Sequence, residues 1–288
     1  MTGTHQLLVE DAVKTERHPY ADVPLILLSG IGRSGTTAAR RALTCHPLLD
    51  STGQENNIIY DLLETSRRNR TMPPRRYAMR VPEERYLKLF TSLILDLLWP
   101  APRGDRPAAL LAFSNLTPDR ADELKILFPD SRIVYIVRNG IEVISSRLLF
   151  ETFGHMTFED HCRVWRNAEA MARWGAPRAD FFLIRHEELL DEGSAGAVFD
   201  ALWPFLELAR CPDCLASLIG DRRAHPTVHP DESCADSADL TKRRERWKYW
   251  SRGQRDHFEA ECGQAMRAFG YGIPWRADRT APVRPNPA

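Results

Sequence analysis

Residues 25–43 constrain the chain most. Leu25-Ile26-Leu27-Leu28 is a short apolar run preceded by Pro24, the pattern of a buried parallel strand. It enters Gly30-Ile31-Gly32-Arg33-Ser34-Gly35-Thr36-Thr37, a loop with three glycines and three hydroxyl residues, and an Ala/Arg/Leu-rich helical pattern follows. Strand, glycine loop and helix together aim a row of backbone N–H groups at an anion. Gly30 and Gly35 have the spacing of the nucleoside-triphosphate loop G-x4-G-K-[ST], but the next residue is Thr36 where that loop has lysine. The cation of this loop is Arg33. It is a phosphate cradle whose transferred group sits differently from the γ-phosphate of ATP.

The rest of the chain alternates strand and helix signals. Apolar runs at 108–113, 132–137 and 181–185 read as strands, and helical spacing recurs at 58–68, 83–98, 119–128, 141–150, 158–174, 197–208 and 254–269. Residues 46–57 read as a helix stop and a polar loop. Residues 67–76 read as a basic exposed loop, and 211–239 as irregular. This order predicts an α/β fold with a central parallel sheet flanked by helices, and ligands bound where the polar strand ends gather at the C-terminal edge. A single domain over 23–275 is expected, with a flexible arm at 1–22 and a disordered Pro-rich tail at 276–288.

With Lys+Arg and Asp+Glu at 39 each, the chain carries no net charge, which argues against a general nucleic-acid or membrane-surface binder. No apolar run reaches the length of a membrane span, and the six cysteines are scattered. A cytoplasmic protein with reduced thiols is the expectation.

The second informative stretch is Arg138-Asn139-Gly140-Ile141-Glu142-Val143-Ile144-Ser145-Ser146. Arg138 leaves a strand, and Ser146 lies eight residues on, about two turns into the following helix. Two readings fit: an arginine capping the sheet edge through a salt bridge, or a guanidinium and a hydroxyl gripping a second phosphate.

Together the two stretches resemble the PAPS-dependent sulfotransferases (PAPS is 3′-phosphoadenosine-5′-phosphosulfate), closest in motif style to the tyrosylprotein and heparan-sulfate type. The family's first loop, [KR]-S-G-T-T after a strand, is Arg33-Ser34-Gly35-Thr36-Thr37 here. Its arginine with a serine eight residues later is Arg138 and Ser146. Phe128 to Arg138, Glu187-Glu188-Leu189, and the closing pattern from Arg246-Trp247 to Gly270-Tyr271 are also similar. The resemblance implies a P-loop-like sulfotransferase fold and PAPS as co-substrate, with no metal expected. It implies that the N–H groups of Ser34, Gly35, Thr36 and Thr37 hold the 5′-phosphosulfate, that Arg33 stabilises the departing group, and that Arg138 and Ser146 bind the 3′-phosphate. Arg246, with Arg243 beside it, stands where relatives reach back to that phosphate; a basic run such as 242–248 also fits a solvated helix face.

Glu55 lies in a polar loop 22 positions after Arg33, nearly the offset of the glutamate base in tyrosylprotein and heparan-sulfate sulfotransferases, so the resemblance implies it as general base; a surface carboxylate is the other reading. His46 is its rival, though its place before Pro47 also fits a helix end. The acceptor is expected to be a small molecule or glycan offering a hydroxyl. Two positions depart from the family pattern: Leu116 where many relatives have lysine, and His186 where they have tyrosine, which either contacts the adenosine end or packs. Cys211-Pro212-Asp213-Cys214 with His225 and His229 has the spacing C-x2-C-x10-H-x3-H, either a zinc pattern or a turn with two free thiols. The alternatives in function are a P-loop kinase and a non-catalytic PAPS- or PAP-binding protein.

Overall fold

A computed structural model describes residues 18–52, 57–71, 82–100, 106–224 and 245–279. Five strands form one parallel sheet: β1 (Leu25–Gly30), β2 (Leu49–Ser51), β3 (Ala109–Phe113), β4 (Arg132–Val137) and β5 (Phe181–Arg185), in the order β2-β3-β1-β4-β5. Among the described residues ten α-helices flank it: α1 (Thr36–Leu43), α2 (Asn57–Thr71), α3 (Glu83–Leu98), α4 (Pro118–Leu127), α5 (Gly140–Leu148), α6 (Phe158–Gly175), α7 (Glu192–Leu206), α8 (Pro212–Ala224), α9 (Arg252–Ala268) and α10 (Pro274–Arg279). The period of two along each strand feeds both layers. Leu25 and Leu27 of β1 join the core beneath α2–α6 and α9, while Ile26 and Leu28 join the core beneath α1, α7 and α8. Every β1 residue is buried, as a central parallel strand requires.

The strand order turns around β1. β3 lies on one side and β4 on the other, so the chain crosses over β1 between them. That crossover opens a crevice at the carboxyl end of β1, where the glycine loop begins.

Several local expectations change. Residues 49–51 form an edge strand within the predicted turn, because three residues carry too little pattern; their register comes from β3, Leu49 pairing with Ala109. Much of the irregular stretch after 211 is α8, started by Pro212 at its first position. The basic segment from 67 begins inside α2, which runs to Thr71; its remainder lies outside the described residues. At the amino end, His18 and Tyr20 are buried, His18 Nε2 contacting the Trp99 carbonyl at 3.1 Å, so the expected arm is packed from residue 18. At the other end α10 continues to Arg279, past the expected start of the tail, with Trp275 buried against Trp247 and Trp250.

α2 is held to α4 by a buried carboxylate. Glu123, 1% exposed, accepts from Ser66 Oγ at 2.6 Å and from Arg70 Nε and Nη2 at 3.1 and 3.0 Å. Arg70 also reaches the exposed Glu83 on α3 at 3.1 Å. Removing one partner of a buried pair strands the other charge and costs about 3–5 kcal/mol; an exposed pair contributes about 1 kcal/mol or less. Chemical denaturation of Glu123→Ala is expected to show a loss in the first range, and of Glu83→Ala a loss in the second.

Candidate active site

The loop after β1 folds tightly for steric reasons. A Cβ on Gly30 would lie 2.7 Å from the Ile136 carbonyl oxygen of β4, so that position needs glycine for close approach. Gly35 has φ +93°, and a Cβ there would meet His186 Nδ1 at 2.2 Å. Arg33 also sits in the left-handed region, at φ 82°. The Ser34 N–H donates to the Ile31 carbonyl at 2.9 Å, closing the turn. It is therefore taken within the loop, contrary to expectation. The backbone donors left to face an anion are those of Gly35 and the first turn of α1, Thr36 and Thr37, whose N–H groups have no acceptor inside the helix.

Arg33 joins the two sequence motifs. Its Nε donates to Ser146 Oγ on α5 at 3.0 Å, and its carbonyl accepts from Arg138 Nη1 at 3.3 Å. Its guanidinium lies over the Phe150 ring, 4.6 Å from the centroid. Arg138 leaves β4 and places Nε and Nη2 on Glu142 Oε2 at 3.1 and 2.6 Å. The salt-bridge reading of Arg138 is thus correct as geometry, and Arg138 also meets the loop.

A brace behind α5 fixes this junction. Asn139 caps the helix, its side chain accepting from the Ile141 N–H at 2.9 Å. The Asn139 N–H donates to Glu187 Oε1 at 3.0 Å, and Glu187 Oε2 accepts from Tyr271 at 2.7 Å. Burial and the Glu187 carboxylate push the Tyr271 hydroxyl well above its usual range. Two of the stretches that carried the resemblance, 187–189 and 270–271, meet here. His186 packs over Gly35, which brings it to the loop itself.

Two cavities flank the loop and share Asn115. One, of about 360 Å³, is lined by Gly30, Thr36, Thr37, Arg40, Phe113 and Ser114 among others. The other, of about 480 Å³, is lined by Gly32, Tyr60, Asp61, Leu116, Arg147 and Phe153 among others. Leu116 is buried, and its N–H donates to Ser29 Oγ at 3.0 Å, tying the end of β3 to β1. Arg147 is 4% exposed and its guanidinium lies over the Phe153 ring at 3.9 Å. Its Nε donates to His161 Nδ1 at 3.2 Å and its Nη2 contacts Met156 Sδ at 3.3 Å. Burial lowers Arg147 to about 10. Burial, and then the Arg147 charge, hold His161 below the usual histidine range.

Among the other candidates, Arg246 stands on a 3₁₀ turn (Arg246–Tyr249) packed against α5. Glu55 and Arg243 lie outside the described residues, as do His225 and His229. Cys214 is buried in α8, and burial raises its thiol. His46 does not join the site: its Nδ1 accepts from the Leu48 N–H at 3.2 Å and its Nε2 contacts the Ala209 carbonyl at 3.0 Å, the helix-end role. Sequence reasoning missed Tyr60, Asp61, Arg147 and Phe153. The available signal for Arg147 was a charged residue directly after Ser146 on a helix whose neighbours are apolar.

A family model described as "Sulfotransferase family" matches residues 24–208. A protein-tyrosine sulfotransferase of Drosophila melanogaster is 25% identical over 156 residues, 51% of this chain; the match spans 30% of that protein's length. The sulfotransferase domain of the Synechococcus PCC 7002 olefin synthase shares 17% identity with a TM-score of 0.52, covering 87% of this chain and 95% of that domain, a likeness of fold.

The depressed His161 gives a pH prediction. A histidine whose pKa is lowered by folding contributes stability that is full above its unfolded value, near 6.5, and is lost as pH falls through the folded value. Melting temperature is expected to drop on acidification below about pH 6.5, and His161→Gln to flatten that slope.

Proposed function

Because the chain belongs to the sulfotransferase family, we propose that it moves a sulfuryl group from PAPS to a hydroxyl of a small-molecule or carbohydrate acceptor and releases 3′,5′-ADP (PAP). The observation that carries this reading is the contact of Arg33 with Ser146 and Arg138, two motifs more than a hundred positions apart joined at the carboxyl ends of β1 and β4. It supports a donor with two anionic ends, one on the loop and α1, the other at Arg138 and Ser146 with Arg246 nearby.

The reaction is an in-line displacement. The acceptor oxygen forms a bond to sulfur as the bond from sulfur to the bridging phosphate oxygen breaks. The acceptor proton goes to a carboxylate, for which Glu55 is the candidate. Charge grows on the bridging oxygen, and the Arg33 guanidinium and the N–H groups of Gly35, Thr36 and Thr37 are the donors available to stabilise it. The glycine loop and α5 hold the donor rigidly, which supplies the orientation such a displacement needs. The acceptor enters the 480 Å³ cavity beside Gly32.

Before PAPS binds, Arg138 is neutralised by Glu142. A 3′-phosphate has to share that guanidinium. Calorimetric titration with PAP is therefore expected to show about 10–100-fold weaker binding for Arg138→Ala, the worth of hydrogen bonds to a charged group, and tighter binding for Glu142→Gln. Thermal stabilisation by ATP·Mg²⁺ in place of PAP would favour a kinase instead.

Turnover with PAPS across alcohols, phenols and glycans tests the mechanism. Glu55→Gln is expected to lower kcat by about 10²–10⁴ with PAP affinity retained, and Arg33→Ala by about 10²–10³. Asp61, the carboxylate on the cavity wall, is the comparison: a loss in Asp61→Asn and none in Glu55→Gln transfers the base role to Asp61. Turnover unchanged in all three variants defeats the mechanism.

A further inference from the structure

Arg147 is the buried charge that the transfer mechanism leaves unused. It lies at the end of α5, directly after Ser146, and turns away from the Arg33–Arg138 junction into the second cavity. Its contacts are neutral: an imidazole nitrogen, a thioether sulfur and an aromatic face. Among the described residues no carboxylate lies within 4 Å of it, whereas Arg33's neighbour Arg138 has Glu142 and the buried Glu123 has Arg70. The imidazole carries no negative charge to answer it, and burial, then the Arg147 charge, hold His161 below the usual histidine range. A buried guanidinium without a counter-charge is costly. Its planar fork of N–H donors matches an oxyanion.

The surroundings fit an organic molecule carrying that oxyanion. Nη1 stands against the loop, 3.3 Å from where a Cβ on Gly32 would be, so one wall of the cavity is the glycine loop itself. Tyr60 and Phe153 offer aromatic faces, and Asn115, Thr117 and Asn167 offer polar edges. A volume of about 480 Å³ suits a small ligand. Among the described residues the one carboxylate on the wall is Asp61, on the exposed side of α2.

We propose that Arg147 is the anion receptor of the acceptor cavity, so that preferred acceptors are hydroxyl compounds that also carry a carboxylate or another oxyanion. This deepens the proposed function and rests on that cavity being the acceptor's. The anion seats on Arg147 between Phe153 and Gly32 and turns the hydroxyl toward the loop. Leu116 leaves this wall without the lysine of many relatives, and among the described lining residues Arg147 is the cation of the same cavity.

The test is kcat/KM with PAPS for matched acceptor pairs: hydroxybenzoates, hydroxyphenylacetates and uronic-acid glycosides, each against its methyl ester. Wild type is expected to favour the free acid about tenfold or more, the worth of a charged hydrogen bond. In Arg147→Gln that ratio falls toward one, through KM for the acid. Arg147→Lys keeps part of the preference, and it carries the test where the glutamine variant does not fold. A wild type that treats the pairs alike, or transfers to no member of any pair, overturns the proposal. So does an equal loss of kcat for both members, which would assign Arg147 to the transferring sulfuryl group. Asn167→Phe, which narrows the cavity, separates the two readings. Raised KM for both members with no acid preference removes the anion assignment alone; unchanged KM removes the cavity as acceptor site and the assignment with it.

Discussion

The site depends on holding one arginine in a backbone conformation it does not favour. Arg33 has φ 82°, a region that costs an L-residue with a Cβ about 1–2 kcal/mol. The residue two positions on, Gly35, also has positive φ and pays no such cost. The cost at Arg33 is met by tertiary contacts: its side chain donates to Ser146, its carbonyl accepts from Arg138, and its guanidinium covers Phe150. All three partners come from β4, α5 or the turn that follows. The loop is therefore completed by a segment a hundred residues away. This coupling places the loop cation and the strand-end cation in one cluster.

The same dependence explains the brace formed by Asn139, Glu187 and Tyr271. α5 carries Ser146 to Arg33 and Arg147 to the wall of the 480 Å³ cavity, so a small rotation of the helix would misplace both. Its amino end is fixed by its own cap and by the Glu187 carboxylate, which Tyr271 in turn holds. Trp165 adds a further stop: its Nε1 donates to the Arg138 carbonyl, and its ring fills the space a Cβ on Gly140 would need. The similarity of residues 187–189 and 270–271 to the family thus has a physical content distinct from ligand contact, namely the aim of a helix.

Legibility in the sequence followed how local the cause is. β1, β3 and β4 were legible because each is an apolar run that burial on both faces demands, and β5, though only partly buried at the sheet edge, because its run is equally apolar; each is ended by glycine or polar residues. β2 was not, since three half-buried residues at a sheet edge take their conformation from the neighbouring strand. α8 hid behind Cys-Pro-Asp, a start signal that also reads as a turn. In the site, the glycine loop that carries Arg33 and the strand-to-helix step from Arg138 to Ser146 were legible because loop and helical spacing are written in consecutive residues, while the roles of these residues rested on the resemblance. Tyr60, Phe153 and Arg147 converge from α2, a 3₁₀ turn and α5, and no spacing within the chain encodes that convergence. The Ser34 N–H was misjudged for a related reason: a motif names the donors of a loop without saying which of them the turn itself consumes.

The three arginines at this sheet edge differ in what answers their charge, and that difference has chemical consequences. Arg138 is paired with Glu142, so a phosphate arriving there meets a guanidinium whose charge is shared, and net attraction is moderated. Arg33 donates to a hydroxyl and covers an aromatic face, contacts that orient its guanidinium. Arg147 is met by neutral groups at 4% exposure, so its field is little screened and its desolvation has already been incurred in folding. An anion entering beside Arg147 therefore gains more per contact than one at Arg138, although it is bound by fewer groups. On the proposed reading this ordering suits a transferase. The donor must bind and its spent form must leave, which favours moderated charge at its 3′ end. The acceptor is discriminated by a single desolvated cation next to the reacting centre, where one missing counter-charge is felt most.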